Sequence, residues 1–363
     1  MMSELPKKKP RLEWLDAMRG FTMILVVANH VSQLAFHESL HHSTALQFLV
    51  LFRMPLFFFI SGFLAHKASL CWDARTLLTM SARKARVQLL PTFVFLLLAI
   101  AVLYSSKGYW NGVVMIFHDS MKGGYWFTIA LFYMLLAYYL FCFAEHQFRW
   151  KSWIPIAVLF VVSLVIYETC YMPRTFSWGF GHKPHEPKWL FYSSLYDALR
   201  FFPFFLYGSI VRRYWEQAQR IMDSRWFFPV MVFIVIFCTL DAVKWHTMKM
   251  EWANLPQTLA KFMLLTMVFM YFRHYHQYFT KMTIMGSSLQ YIGRRTLDIY
   301  LIHFLFMPNL PGIGSFFGVY RYNFIVDTTL SVLMGLLVIA FSIITSNILR
   351  ISPLFKKYLF GRG

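Results

Sequence analysis

Stretches of about 20 mostly apolar residues recur along the whole of this 363-residue chain. A helix of that length crosses the hydrocarbon core of a bilayer. The composition agrees, since 58% of the residues are hydrophobic, 20% are aromatic and only 14% are charged, against about 25% charged residues in an average soluble domain. The sequence therefore predicts an all-α, polytopic integral membrane protein.

Ten stretches fit the sequence as transmembrane helices. They cover about residues 15–35, 48–66, 88–104, 125–143, 153–169, 190–211, 226–243, 255–271, 289–308 and 324–349. The N-terminal KKKPR precedes an apolar stretch that is too long for a signal peptide and lacks a small-residue cleavage site, so we expect it to be retained. No repeat or long linker divides the chain, and we expect one membrane-embedded domain over residues 1–363.

The net charge of +19 could indicate a nucleic-acid partner. The distribution of the charges between the inner and outer segments gives a different explanation. With the N-terminus inside, the inner segments hold 23 Lys and Arg residues and the outer loops hold eight. Positively charged residues favour the cytoplasmic side, so we expect both termini in the cytoplasm, a lipid bilayer as the surroundings, and no nucleic acid. The four cysteines are scattered without a CxxC pair and are expected to be apolar fillers.

The first stretch contains "RGFTMILVVANH", with an arginine and a histidine on one apolar helix. Arg19 and His30 are eleven residues apart, about 20° beyond three full turns, so both point the same way, roughly 16 Å apart along the axis. Asp16 can pair with Arg19. Ionisable side chains within a membrane are costly and usually face a site. The alternatives are that Arg19 reaches the headgroups and that His30 only bonds a neighbouring helix.

The second stretch opens with "LFRMPLFFFISGFL", which places Arg53 at a depth similar to that of His30. Its alternative role is an anchor at the helix end. Arg83 and Arg86, in "SARKARVQLLP", share a helical face just cytoplasmic of the third stretch. Such a pair either sets topology or binds a phosphorylated ligand, because guanidinium groups hold phosphates bidentately.

Later stretches add further candidates. Asp197 and Arg200 are predicted as a buried ion pair in the sixth stretch, and Asp298, Tyr300 and His303 lie in "RRTLDIYLIHF" of the ninth. A structural network explains these residues about as well as a site does. Trp126, in "YWF", suits an aromatic belt equally well.

These motifs together resemble the acyltransferase 3 family of membrane-bound O-acyltransferases. The resemblance rests on Arg19 and His30 as R-x10-H, on "FRMPLFFFISGF", on Arg83 and Arg86 as R-x-x-R before "LLP", and on the late "IYLIHF". It covers nearly the whole chain, and the opening "RLEWLDAMRG" is most similar to the bacterial sugar O-acetylase branch. Many members have a histidine before the fourth-stretch "W-F-L", where this chain has "GGYWFT".

The resemblance implies transfer of an acyl group, commonly acetyl, from cytoplasmic acyl-CoA to a hydroxyl of a surface polysaccharide, glycolipid or lipid-linked sugar, in a bacterial inner membrane. Acetyl-CoA is then a co-substrate, and neither a permanently bound cofactor nor a metal is expected. The chemistry suits His30 as general base and Arg53 as oxyanion donor. Arg83 and Arg86 would hold the CoA phosphates, and Arg19 would line the route from those phosphates to His30.

The outer loop, about residues 170–189, is rich in aromatic residues and histidine. Trp178, Trp189, His182 and His185 are candidates to contact an acceptor sugar, and a simple interfacial cap is the alternative.

A secondary transporter is the main alternative class, and it predicts inverted repeats, which the sequence lacks. A structural scaffold gives no reason for buried ionisable residues. A hydrolase is disfavoured because the sequence has no G-x-S-x-G motif or metal cluster. The acyl group, the acceptor, the oligomeric state and an acyl-histidine intermediate are left open.

Overall fold

The structure is a computed structural model that describes residues 12–38, 43–103, 108–119, 121–150, 152–170, 188–245, 255–316 and 323–360. These parts of the chain are helical and contain no strand, which confirms the all-α prediction for them. The α-helices are α1 Glu13–His30, α2 Thr44–Ala65, α3 Ala74–Lys84, α4 Leu90–Leu103, α5 Tyr109–His118, α6 Trp126–Gln147, α7 Ile154–Cys170, α8 Lys188–Tyr192, α9 Leu195–Arg213, α10 Trp215–Met222, α11 Phe227–Trp245, α12 Leu255–His274, α13 Ile284–Arg294, α14 Thr296–Ile302, α15 Pro311–Phe316, α16 Phe324–Leu349 and α17 Pro353–Tyr358.

Five helical segments of the described chain are long and apolar enough to cross a membrane, and a sixth is added if a pair bent by 78° counts as one span. The five are Thr44–Ala65, Ala74–Val102, Trp126–Gln147, Leu255–His274 and Phe324–Leu349, and the bent pair is α10 with the start of α11. Helix α1 is not among them and carries three charged side chains in its 18 residues. Most of each of the ten predicted stretches is helical. The count of ten spans and the cytoplasmic termini stay predictions.

The ninth predicted stretch, 289–308, is broken rather than continuous. Helix α13 ends at Arg294, α14 is only seven residues long, and a 3₁₀ turn, His303–Phe306, follows it. Pro308 gives a physical reason for the end of the 3₁₀ turn, because it disfavours a helical conformation at the residue before it. Met307 is indeed extended, with φ −71° and ψ 112°. This break places the two ends of α14 inside the bundle.

Two helix pairs meet backbone to backbone at glycines. In the pair α1 and α13, a Cβ on Gly20 would lie 2.0 Å from the carbonyl oxygen of Leu289, and one on Gly293 would lie 1.8 Å from that of Asp16. Helices α2 and α9 meet in the same way, since a Cβ on Gly62 would lie 1.8 Å from the carbonyl oxygen of Phe205. Small residues let membrane helices approach this closely, and dispersion contacts then hold them together.

Helix α1 lies at the centre of the bundle. It packs against α2, α12, α13 and α16, and its C-terminal end continues into a π turn, Val31–Ala35. Thirteen of its 18 residues are buried. A polar side chain on α1 therefore meets other helices rather than lipid, and this position is what makes Arg19 and His30 available to a site.

Candidate active site

His30, at the last turn of α1, is paired with His303, which follows α14. Nδ1 of His30 lies 2.8 Å from Nε2 of His303, and the two rings are nearly parallel, with centroids 5.1 Å apart. His303 is fully buried. Its own Nδ1 lies 3.0 Å from the carbonyl oxygen of Ile299 and 2.9 Å from that of Tyr300. The pair joins residues 273 positions apart in the sequence.

His30 lines a small cavity, of about 50 Å³, between α1, α2 and the start of α6. Arg53 lines the same cavity, as the similar depth of the two residues predicts. Nε of Arg53 is buried and has no hydrogen-bond partner among the described residues. Trp126 and Tyr300 also line the cavity, together with Gln33, which sequence reasoning missed although it lies three residues after His30. The cavity thus joins an imidazole to a guanidinium with an unused donor.

Tyr300 fixes the turn that leads into α6. Its hydroxyl donates to the carbonyl oxygen of Gly124 and accepts from the backbone N–H of Phe127, at 3.1 Å. Gly124 has φ +101°, and a Cβ there would lie 2.1 Å from the ring of Phe304. Glycine is therefore required at that position. The "GGYWF" sequence, which departs from the family pattern, forms this tight turn and places Trp126 at the cavity.

Arg19 contacts the other end of α14. Its guanidinium donates to Oγ1 of Thr296 at 2.9 Å and lies 3.8 Å from the carboxylate of Asp16. The predicted Asp16–Arg19 pair is thereby confirmed. Asp16 is buried and also lies 4.0 Å from Arg294. Because Arg19 and His30 both contact the segment from Thr296 to His303, the prediction that they share one face of α1 is confirmed.

Asp298 is bound to a residue from beyond the last predicted span. Arg350 donates to both carboxylate oxygens, at 2.8 and 2.6 Å, and Ser346 donates to one of them at 3.0 Å. The side chain of Asp298 is 2% exposed. This buried pair, in which Nη2 of Arg350 bonds both carboxylate oxygens, holds the start of α14 against the end of α16. No motif in the sequence pointed to Arg350, which was counted only as a positive charge of the C-terminal tail.

The predicted buried ion pair between Asp197 and Arg200 does not form as a contact, although the charge of Arg200 is close enough to act on the carboxylate of Asp197. Asp197 is buried, whereas Arg200 is exposed and lies over the ring of Phe201, with its Cζ 5.3 Å from the centroid. The structure records no ion pair between the two. The guanidinium keeps its solvation by staying at the surface and stacking on an aromatic ring, which a buried carboxylate would not allow.

Arg83 and Arg86 lie at the surface, at the junction of α3 with a π turn, Ala85–Leu89. Neither forms a hydrogen bond or ion pair with another described residue, so both guanidinium groups are available. Lys67 lies close by, and its pKa is lowered by partial burial and by the charge of Arg83. Sequence reasoning missed Lys67. Trp178 and the rest of the outer loop up to residue 187 lie outside the described residues.

A bundle of apolar helices around a buried imidazole and guanidinium defines a membrane protein with a candidate catalytic centre. The family model described as an acyltransferase domain, that of the acyltransferase 3 family, matches residues 12–347. The chain therefore belongs to the acyltransferase 3 family and is a membrane acyltransferase. No curated protein and no solved structure matches the chain.

Proposed function

We propose that this protein transfers an acyl group, most simply acetyl, from cytoplasmic acyl-CoA to a hydroxyl of a cell-surface or lipid-linked carbohydrate. The observation that carries the proposal is the cavity itself, which is lined by His30, hydrogen-bonded to His303, and by Arg53, whose buried Nε has no hydrogen-bond partner among the described residues. An acyl transfer needs a base for the attacking hydroxyl and a donor for the oxyanion that develops. The membership of the chain in the acyltransferase 3 family agrees with this chemistry.

The proposed reaction is a direct transfer. His30 takes the proton of the sugar hydroxyl as its oxygen attacks the thioester carbonyl, and the guanidinium of Arg53 stabilises the tetrahedral oxyanion. The carbon–sulfur bond then breaks, the thiolate of CoA leaves and takes the proton from His30, and the ester is released. A neutral imidazole suits the first step because its ordinary pKa, about 6.5, lies near physiological pH.

The donor side of the proposal uses the basic surface formed by Lys67, Arg83 and Arg86. Two unpaired guanidinium groups beside an ammonium group suit the several phosphates of CoA. Arg19 contacts the start of α14 and its charge also acts on Lys84, which is next to Arg83, whereas His30 contacts the residue after the end of α14. The face of α1 between them is the proposed route of the pantetheine arm towards the cavity.

The acceptor side belongs to the same proposal. The sugar O-acetylase branch implies a polysaccharide, a glycolipid or a lipid-linked sugar, with the outer loop and Trp178 as the acceptor contact. A bacterial inner membrane, with both termini in the cytoplasm, is the proposed location. The excess of Lys and Arg on the inner segments supports that orientation.

The test is transfer of label by purified protein. The protein in detergent is incubated with acetyl-CoA labelled in its acetyl group and with candidate glycans, and we expect label in an ester on the glycan. Label released only as acetate would contradict transfer and indicate a thioesterase. Uptake of the glycan into proteoliposomes without acyl-CoA would instead favour the transporter class.

A further inference from the structure

The hydrogen bond between His30 and His303 has a direction that the surrounding backbone determines. Nδ1 of His303 lies 3.0 and 2.9 Å from the carbonyl oxygens of Ile299 and Tyr300. A carbonyl oxygen only accepts, so this nitrogen carries a hydrogen. A neutral imidazole has one N–H and one lone pair. Nε2 of His303 is therefore the acceptor in the pair.

The same reasoning continues across the pair to His30. Its Nδ1 lies 2.8 Å from the acceptor Nε2 of His303, so Nδ1 of His30 is the donor. The lone pair of His30 is then on Nε2. The hydrogen positions follow from the network of acceptors, as they do for any histidine pair. The opposite arrangement would set a lone pair of His303 against two carbonyl lone pairs.

The turn that precedes His303 supplies those carbonyls. Helix α14 ends at Ile302, and the carbonyl of Ile299 also accepts the backbone N–H of His303. The ring of His303 donates to the carbonyls of Ile299 and Tyr300, and the hydroxyl of Tyr125 donates to that of Leu301, at 2.9 Å. The tautomer of His303 is thus set by acceptors on its own preceding turn.

We propose that His303 is a positioning residue that holds His30 in the Nδ1–H tautomer and leaves Nε2 as the basic nitrogen. This inference rests on the proposed function for its catalytic meaning. When Nε2 takes the hydroxyl proton, His30 becomes a cation with an N–H on each nitrogen. The bond from Nδ1 to His303 is then charge-assisted and stronger. A neutral histidine therefore orients and supports the base, a part often played by a carboxylate.

The experiment combines a spectroscopic and a kinetic measurement on the full-length protein in nanodiscs. Nitrogen-15 NMR of histidine-labelled protein distinguishes a protonated from an unprotonated ring nitrogen, and the His30 signals are assigned by their loss in His30→Gln. We expect His30 to be protonated at Nδ1 and not at Nε2. In His303→Leu we expect a mixture of the two tautomers, because the acceptor is gone.

Activity is measured on two variants and one control. His303→Leu is expected to lower kcat by about 10- to 100-fold, a size typical of losing the group that orients a functional imidazole, with both KM values unchanged. His303→Gln should recover part of the loss, since its amide oxygen can accept from His30. The matched control is His118→Leu. His118 also bonds a carbonyl of its own helix, Nδ1 to Val114 at 2.8 Å, but it is exposed and has no histidine partner.

Two results would overturn the proposal. One is protonation of His30 at Nε2 in the unmodified protein, which needs no activity to observe. The other is a folded His303→Gln variant that is as impaired as His303→Leu and has the same mixture of tautomers. Absence of any acyl transfer by the unmodified protein would contradict the proposed function instead, and the tautomer measurement would still decide the role of His303.

Discussion

The cavity around His30 differs from the basic surface in how its positive or basic groups are held. The basic surface is formed by Lys67, Arg83 and Arg86. In the cavity, each imidazole nitrogen that contacts protein has a fixed partner, and Arg53 is half-buried within the helix bundle. On the basic surface, Arg83 and Arg86 are exposed and form no hydrogen bond with other described residues. One region is built before any ligand arrives, and the other, in our proposal, is completed by the phosphates of CoA.

This difference indicates which kinetic parameter, kcat or KM, each region controls. Groups held in place in a water-poor cavity act on charge that develops in the transition state, so they affect kcat. Exposed groups that bind a remote part of the donor act equally in the ground and transition states, so they affect KM. Three substitutions, from the largest expected effect to the smallest, test whether the two regions separate in this way.

The largest effect is expected at His30. His30→Gln keeps a side chain that can bond His303 but removes the base, and we expect kcat to fall by at least about 10²–10⁴-fold with an unchanged KM for acyl-CoA. Steady-state kinetics in detergent measure both. His274→Gln, an exposed histidine at the end of α12, is the matched control. Substantial turnover by well-folded His30→Gln protein would remove His30 from the mechanism.

An intermediate effect is expected at Arg53. Arg53→Met keeps an unbranched apolar stem but loses the guanidinium donor, and we expect kcat to fall by about 10²–10³-fold, the usual cost of losing an oxyanion donor. Arg53→Lys should retain part of the rate, because its charge remains without the planar geometry. Arg200→Met is the control, since Arg200 is exposed over Phe201 and does not line the cavity. Equal losses in the two Met variants would argue against a specific role for Arg53.

The smallest effect is expected at Arg86 and should appear in affinity. Calorimetry with CoA should show binding weakened by about 10- to 100-fold in Arg86→Ala, since a hydrogen bond to a charged group contributes about 1.5–3 kcal/mol, while kcat stays near that of the unmodified protein. Arg86→Lys should recover part of the affinity. Arg75→Ala, at the exposed start of α3, is the control. If active, unmodified protein does not bind CoA measurably, the donor assignment is wrong.

The sequence predicted candidate site residues best where a single ionisable residue lies within an apolar stretch. An arginine and a histidine within apolar stretches are costly, so Arg19, His30 and Arg53 were found without any knowledge of their neighbours. The helical period then placed Arg19 and His30 on one face, as their contacts with Thr296 and His303 confirm. These are local properties of a helix, and local properties can be read from sequence.

The partners were harder to predict because they come from distant parts of the chain. Asp298 is bound by Arg350, 52 residues away, rather than by a neighbour on its own helix. Asp197 and Arg200 have the spacing of a pair, yet one is buried and the other exposed. Spacing along a helix predicts which residues share a face of that helix. It does not predict whether that face is turned towards the rest of the bundle. The break in the ninth stretch was also missed, although Arg294, Arg295 and Thr296 lie at its start, because the residues around its second part, from Ile299 to Met307, are mainly apolar.

The short helix α14 has a further consequence for the membrane in which such an enzyme would work. The chain of hydrogen bonds that starts at His30 passes to His303 and ends on the carbonyl oxygens of Ile299 and Tyr300. Carbonyl oxygens hold hydrogen bonds but are far too weak as bases to take up a proton. A proton accepted at Nε2 of His30 therefore has no onward path through this chain, and in the proposed reaction it leaves on the thiolate of CoA. The two histidines then offer protons no path across the bilayer apart from acyl transfer itself.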